Sequence, residues 1–279
     1  MPAEQVPADP VPARPVTPSP HGPAVHRYGD APSQYAELTL PSGTHRGTAV
    51  VIHGGYWRTA YDAGLGRPLA ADLAARGWAA WNLEYRRTGG PGDDRGGWPE
   101  TFEDVAAGLD LIPGAFAGLG LDPGPVVLIG HSAGGHLAVW AAGRHVLPAG
   151  SPGAEPLLRP AGVVSQSGVL CLHDAAARQL SDGAARILLG ADPDEAPARW
   201  RGADPLAMLP IGVPVAVMHA DADLDVPSAQ GIRYAEAARA AGDPVRFHWT
   251  PGDHYALINP ESTAWAACVA AAEAFAPVY

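Results

Sequence analysis

Short apolar runs of strand length alternate with helical segments along most of this chain. The runs are YAELTL, GTAVVIHGG, WAAWNLEY, PVVLIG, AGVVSQSG, VPVAVMHA and VRFHWT. Helical patterns lie between and after them, among them Pro68 to Arg76, residues 228–241 and residues 262–275. The strands are apolar on both faces, which is typical of parallel strands covered by helices on both sides. The pattern therefore predicts the α/β class, with a mostly parallel central sheet.

The start of the chain has a different composition. Residues 1–33 are dense in proline and show no hydrophobic periodicity. Proline lacks an N–H group and fixes φ, so we predict a disordered Pro/Ala-rich leader over 1–33. The chain has 279 residues, of which 47% are hydrophobic, and this is enough for one large core. We therefore predict a single domain over 34–279.

Composition and charge exclude several classes of function. The net charge is −11 and the basic residues form no stripe, so we expect neither a nucleic-acid nor a membrane partner. All 18 basic side chains are arginine, which excludes a lysine Schiff base and the lysine of a phosphate-binding P-loop. Cys171 and Cys268 match no metal-binding spacing, so we expect both to be reduced and structural.

The sequence also bears on location. No stretch approaches the roughly 20 apolar residues of a membrane span. The N-terminus lacks the basic start and apolar run of a secretory signal. We therefore expect a cytoplasmic protein, and no feature of the sequence predicts an oligomeric state.

The stretch GHSAGG, residues 130–135, falls between an apolar strand and a helix. A strand that turns directly into a helix strains the backbone of the residue between them, and small neighbours relieve the crowding. The pattern Gly130-x-Ser132-x-Gly134 has glycine at both of those neighbouring positions. The serine hydroxyl would then stand above a helix N-terminus, which favours developing negative charge. Ser132 is the candidate nucleophile.

A serine nucleophile needs a base that is itself oriented by an acid. The loop after VPVAV contains three alternating acids, and Asp221, Asp223 and Asp225 are all candidates. The loop after VRFHW contains His254, whereas His248 lies inside the strand pattern. The order Ser…Asp…His is the one expected of an α/β-hydrolase.

The same acids allow a calcium-loop reading, which the spacing does not support. A loop that began at Asp221 would need glycine at its sixth position and glutamate at its twelfth, but Val226 and Ile232 stand there. We predict no metal site. Three more histidines adjoin these motifs and are interpreted as packing or supporting residues: His131, His136 and His219.

The stretch VVIHGGYWR, residues 50–58, suggests donors for an oxyanion. Attack on a carbonyl puts negative charge on its oxygen, and N–H groups must be waiting there. The residue after the nucleophile, Ala133, supplies one such group, and a glycine-rich loop after an earlier strand supplies others. Gly54 and Gly55 would let that loop approach closely, so we expect the amides of Gly55 and Tyr56 to face the oxyanion.

From about Tyr35 onward the chain resembles α/β-hydrolases of the hormone-sensitive-lipase-like and carboxylesterase group. It is most similar to the kynurenine formamidase (arylformamidase) branch, on the motifs HGGYW, GHSAGGHLA and YRR…GWPETFEDV. The family acid lies four residues before the proline of a D-x-x-V-P segment, which selects Asp223 with Pro227. The family base lies in a G-x-H-[FY] loop, which here contains His254 followed by Tyr255.

The resemblance implies an α/β-hydrolase fold, no cofactor, and a small cap over residues 170–200. It implies a catalytic triad of Ser132, Asp223 and His254. The remaining site residues that it implies are an oxyanion hole from Gly54, Gly55, Tyr56 and Ala133, and substrate contacts from Tyr56, Trp57 and His131.

Three functions remain open on the sequence. The first is an arylformamidase that cleaves a small amide of the N-formylkynurenine type, which implies a place in tryptophan catabolism. The second is a carboxylesterase for small acyl, aryl or secondary-metabolite esters, which uses the same residues. The third is a non-catalytic binding module on a hydrolase fold. Because such folds host many substrates, the resemblance does not choose among them.

Overall fold

A computed structural model describes residues 22–277 of the chain. Within that range the strands are β1 Ala24–Arg27, β2 Tyr35–Thr39, β3 Thr48–Ile52, β4 Ala79–Leu83, β5 Val126–His131, β6 Gly162–Gln166, β7 Val215–Ala220 and β8 Val245–Thr250. The α-helices are α1 Arg67–Ala75, α2 Glu100–Asp110, α3 Ile112–Gly118, α4 Ala133–Ala142, α5 Leu172–Ala177, α6 Leu180–Leu189, α7 Pro197–Ala203, α8 Ala229–Ala240 and α9 Thr263–Phe275. No helix in the described range is both long and apolar enough to cross a membrane.

The described strands form one sheet in the order β1-β2-β4-β3-β5-β6-β7-β8. The pairs β1–β2 and β2–β4 are antiparallel, and every later pair in that order is parallel. The mostly parallel sheet predicted from the apolar runs is therefore confirmed. Because parallel strands all end at the same edge, the loops after β3, β5, β7 and β8 meet there.

Side chains from alternate strand positions enter two separate cores, one on each face of the sheet. On β5, Val127 and Ile129 pack with α1 and α9, while Leu128 packs on the opposite face with most of the other helices. The strand is therefore apolar on both faces because helices cover both. Cys171 and Cys268 are buried and unpaired, as expected, and burial raises the pKa of each thiol to about 12.

The expected disordered leader is wrong from Ala24 onward. Residues 24–27 form β1, which pairs antiparallel with β2. The connection is also held, since the Tyr28 hydroxyl donates to the carbonyl of Glu84 and the Ser33 hydroxyl donates to Asp94 at 2.9 Å. An edge strand needs backbone bonds on only one side and little apolar surface, so proline-rich composition concealed it. Residues 1–21 of the expected leader lie outside the described residues.

The turn from β5 into α4 is packed too closely for side chains. A Cβ atom at Gly134 would lie 2.0 Å from the carbonyl oxygen of Ile52, at the end of β3. A Cβ atom at Gly130 would lie 2.1 Å from the carbonyl oxygen of Gly134. These glycines therefore let the start of α4 approach the neighbouring strand, which fixes the position of Ser132 between them.

Adding one methyl group tests this close approach. We expect Gly134→Ala to lower the free energy of unfolding by about 1–3 kcal/mol, because backbone atoms must move to admit the methyl. The control is Gly114→Ala on the exposed side of α3, where a Cβ atom would meet nothing within 4 Å. That change should stabilise by about 0.5–1 kcal/mol, since alanine favours a helix interior. The free energy of unfolding of both variants is measured in urea. Equal changes in the two variants would contradict the packing argument.

Candidate active site

A cavity of about 460 Å³ lies at the edge of the sheet where the parallel strands end. Its lining includes Ser132 after β5, His254 after β8, Asp225 after β7, and Gly55 and Tyr56 after β3. Residues that the sequence singles out in four separate loops therefore line one space. The other predicted site residues are absent from its lining, namely Gly54, Trp57, Ala133 and Asp223.

Ser132 occupies the turn between β5 and α4 with φ 55° and ψ −118°. Positive φ is unfavourable for a serine and persists only where the surroundings enforce it. Its N–H donates to the carbonyl of Gln166 at 2.8 Å, and its carbonyl accepts from the N–H of His136 at 3.1 Å. Both backbone groups are thus satisfied while the side chain reaches the cavity. Among residues 22–277, no partner hydrogen-bonds to the hydroxyl, and such bonds are often long without substrate.

His254 contacts one of the three candidate acids. Its Nδ1 lies 2.7 Å from Oδ2 of Asp223. The other oxygen of Asp223 accepts the N–H groups of Asp225 and Val226, each at 2.9 Å. By contrast, the Asp221 carboxylate accepts the N–H of Gly252 at 3.0 Å. Asp223 is therefore the one of the three acids that hydrogen-bonds to the imidazole.

The hydrogen bonds around Asp223 dominate its protonation. Burial raises the pKa of this carboxyl, but bonds from His254, the Val226 N–H and the Ser167 hydroxyl outweigh burial. The pKa falls from 3.8 to about 2 as a result. Asp223 is thus charged at neutral pH, and the charged form is the one that holds His254.

His131, the residue before Ser132, supports the loop that contains His254. Its Nε2 donates to the backbone carbonyl of His254 at 2.9 Å, and the two rings lie 4.4 Å apart. Burial, together with the nearby His254, lowers the pKa of His131 to about 3, so the ring is neutral. His131 does line the cavity, but the nitrogen that faces His254 is already occupied.

The loop after β3 exposes backbone N–H groups. Gly55, Tyr56 and Trp57 have φ of 107°, 48° and 58°, a run of left-handed conformations. Within the described chain, the amides of Gly54, Gly55 and Tyr56 donate to no other group. Gly55 and Tyr56 line the cavity beside Ser132. Gly54 lies behind them, where a Cβ atom would be 3.0 Å from that of Ser132.

Buried side chains hold this loop in its unusual conformation. His53 places Nδ1 2.8 Å from the carbonyl of Gly54 and Nε2 3.1 Å from the carboxylate of Glu84. The Tyr85 hydroxyl donates to the carbonyl of His53 at 2.8 Å. Thr88 donates to the carbonyl of Trp57 through both its N–H at 2.8 Å and its hydroxyl at 2.9 Å. The carbonyl oxygens are thereby satisfied, and the N–H groups stay available.

The expectation that Trp57 contacts a substrate is wrong. Its side chain is 1% exposed, and the ring packs edge-on against His136 at 5.1 Å, away from the cavity. Tyr56 does line the cavity, and its hydroxyl donates to the carbonyl of Asp225 at 2.8 Å. Burial, with smaller contributions from Asp225 and Asp223, raises the pKa of Tyr56 to about 12, so it stays a donor.

Sequence reasoning missed several residues of the cavity wall. Arg58, Tyr61 and Tyr255 line it, and so does Ser181 from the start of α6. Arg58 ends the stretch VVIHGGYWR and Tyr255 ends the G-x-H-[FY] motif, so both lie inside stretches that the sequence analysis had singled out for other residues. Ser181 belongs to the segment expected to form a cap, and Arg58 Nη2 donates to its carbonyl. The full extent of a cap over 170–200 stays a prediction.

Within residues 22–277, one group of side chains could supply ligands for a cation. Donor atoms of Asp223, Asp225 and His254 lie within 4.8 Å of one another. However, Asp223 and His254 already hydrogen-bond to each other, and Asp223 also accepts two backbone N–H groups. This arrangement fits an acid–base pair. The Asp225 carboxylate lies beside that pair and takes no part in its hydrogen bond.

The chain matches the BD-FAE family over residues 37–237, which is most of its length. It belongs to the BD-FAE family. The matched range contains Ser132 and Asp223 and ends before His254.

Two curated relatives align with part of this BD-FAE chain. Esterase LipQ of Mycobacterium tuberculosis is 26% identical over 227 residues, which are 78% of this chain and 52% of LipQ. The probable carboxylic ester hydrolase LipM of the same organism is 36% identical over 112 residues, or 39% of this chain and 25% of LipM. The chain thus spans between a quarter and about half of these two relatives.

Solved structures match more than nine-tenths of the chain. A truncated carbohydrate esterase from gut microbiota superposes with a TM-score of 0.74 at 19% identity, covering 94% of this chain and 99% of that one. Thermogutta terrifontis esterase 2 gives 0.72 at 22% identity, with 92% and 95% covered. The predicted α/β-hydrolase fold is confirmed.

The lowered pKa of Asp223 makes stability depend on pH. The unfolded chain binds this proton more readily than the folded one, so the charged carboxylate stabilises the fold fully above about pH 4. That stabilisation is lost as the pH falls towards about 2. We expect the difference in unfolding free energy between the chain and Asp223→Asn to shrink over this range in urea titrations. A constant difference would contradict the lowered pKa, and Asp225→Asn, which removes an exposed carboxylate from the same loop, is the control.

Proposed function

We propose that this chain is a serine hydrolase that cleaves small carboxylic esters through an acyl-enzyme. One observation carries the proposal: Ser132, His254 and the residues of two free amides, Gly55 and Tyr56, line one cavity. Asp223 holds His254 from outside that lining at 2.7 Å. A nucleophile, an oriented base and oxyanion donors are the parts that acyl transfer requires.

In the proposed mechanism, His254 removes the proton from the hydroxyl of Ser132 as that oxygen attacks the ester carbonyl. Asp223 holds Nδ1–H, so Nε2 is the nitrogen free to accept the proton. The amides of Gly55, Tyr56 and Ala133 stabilise the tetrahedral oxyanion, and His254 then protonates the leaving alcohol. Water, deprotonated by His254, attacks the acyl-enzyme in the same way and releases the acid and the free serine.

The names of the relatives support an ester substrate. LipQ is an esterase, LipM is a probable carboxylic ester hydrolase, and a partial match in Arabidopsis thaliana is an isoprenylcysteine alpha-carbonyl methylesterase, 31% identical over 116 residues. Those proteins are longer than this chain. Their names share the hydrolysis of an ester bond, and this is the only one of their properties that we propose for the present chain.

A second candidate is the arylformamidase reaction on an N-formyl aromatic amine. Its support comes from the lining, since Tyr56, Tyr61 and Tyr255 present aromatic rings to the cavity. Aromatic rings pack well against an aryl group. Trp57 gives no support because it is buried. Both candidate reactions use the same residues for the chemical step, so only a comparison of substrates distinguishes them.

Turnover of one ester and one formamide tests both candidates. We expect p-nitrophenyl acetate to exceed N-formyl-L-kynurenine in kcat/KM by at least about 100-fold, or about 2.7 kcal/mol. Ser132→Ala should lower kcat by roughly 10⁶-fold, because it removes the nucleophile. A Ser132-dependent preference for the formamide would replace the first candidate by the second. Equal activity of the chain and Ser132→Ala would remove both and favour a binding module.

His131 offers a test of how the base is held. We expect His131→Phe to lower kcat by about 10-fold with little change in KM, because it removes the donor to the His254 carbonyl but keeps a ring. His131→Gln, whose amide N–H reaches a similar position, should restore most of the loss. If both variants lose activity in proportion to a lower melting temperature, His131 acts through packing alone.

A further inference from the structure

Arg58 is the arginine that lines the cavity among the residues that the structure describes. It follows the loop after β3 directly, and its side chain is half-buried. Its Nη2 donates to the backbone carbonyl of Ser181 across the cavity wall. The guanidinium therefore lies between the loop after β3 and α6, in the same space as Ser132.

This guanidinium has donors to spare. An arginine side chain carries five N–H donors, and the bond to Ser181 uses one of them. Across residues 22–277, no carboxylate oxygen lies within 4.0 Å of Arg58. Two arginines behave differently, since half-buried Arg86 pairs with Asp104 at 2.8 Å and buried Arg144 pairs with Asp110 at 2.6 Å. Half-buried Arg199, like Arg58, donates to a backbone carbonyl, but it lies outside this cavity.

A half-buried guanidinium without an anionic partner keeps donors free for a ligand. Its surroundings in the cavity favour a particular ligand. The planar fork of a guanidinium binds a carboxylate through two parallel bonds. A cavity of about 460 Å³ with three tyrosines admits a small organic acid ester.

We propose that Arg58 binds a carboxylate carried by the substrate, so that the enzyme prefers esters of small acidic molecules. This inference rests on the proposed ester hydrolysis and names the substrate class for it. The charges fix an orientation as well. The Asp225 carboxylate lies within 4.8 Å of donor atoms of Asp223 and His254, and it repels an acid from that side. The substrate's carboxylate therefore points to Arg58 and α6, away from Asp225.

A purely structural role for Arg58 makes a different prediction. If the side chain only fastens α6 through the Ser181 carbonyl, any donor serves, and the charge of the substrate is irrelevant. Arg58→Gln keeps an amide donor and removes the charge, whereas Arg58→Lys keeps the charge and removes the fork. Arg239→Gln, on the exposed end of α8, is a matched change of net charge outside the cavity.

The experiment uses two matched substrate pairs. One carries the acid on the leaving group, 4-acetoxybenzoate against 4-acetoxybenzamide. The other carries it on the acyl group, monomethyl adipate against methyl adipamate. For at least one pair, we expect Arg58→Gln to lower the acid-to-amide ratio of kcat/KM by about 10-fold or more. Arg58→Lys should keep part of the ratio, and Arg239→Gln should keep all of it.

Equal losses on both members of each pair, or an unchanged ratio, would overturn the inference and leave Arg58 as a fastening for α6. Failure of the proposed function looks different, since the neutral amide-bearing esters would then show no Ser132-dependent turnover. Titration calorimetry of monomethyl adipate and methyl adipamate into Ser132→Ala, with and without Arg58→Gln, decides the binding step in that case. Equal affinity for monomethyl adipate and methyl adipamate would overturn the inference about Arg58. An unchanged affinity for monomethyl adipate in Arg58→Gln would overturn it as well.

Discussion

The buried carboxylate of Glu84 is the group on which the geometry of the site depends. It is 1% exposed and accepts from the N–H groups of Tyr85 and Ala63 at 2.8 Å each, and it faces His53 Nε2 at 3.1 Å and Arg87 at 3.3 Å. A charge at that depth is stable only with such partners. Because Glu84 follows β4 and His53 follows β3, their contact joins the ends of the two strands. That contact fixes the start of the loop after β3.

That loop and the turn at Ser132 are strained in complementary ways. Ser132 is held in positive φ by bonds from its backbone to β6 and α4, and Tyr56 and Trp57 are held by bonds from side chains and by burial of the indole. Gly54 and Gly134 allow the two segments to touch, since neither position has room for a Cβ atom. The strain is therefore stored where two rigid elements meet, which is where a proposed oxyanion site needs fixed N–H groups.

Local signals explain what the sequence predicts well. The strand–turn–helix at Ser132 and the loops around Asp223 and His254 were predicted because each lies within a few residues of a buried strand. The choice of Asp223 over its neighbours came from a family resemblance, and a 2.7 Å contact supports it. Trp57 and Arg58 show the limit: both follow the same glycines, yet one ring enters the core and one guanidinium enters the cavity. That difference depends on packing against His136 and Ser181, which are distant in sequence.

The bond from His131 to the carbonyl of His254 has a consequence for motion. His131 and Ser132 are consecutive, so the loop that carries the base is tied to the residue next to the nucleophile. A displacement of β5 relative to the rest of the sheet would carry both loops in the same direction. The spacing of the proposed reacting groups therefore depends directly on a contact between the loops after β5 and β8. Substitutions of Ser181, at the start of α6, change the cavity wall that a substrate meets and leave the bond between His131 and His254 in place.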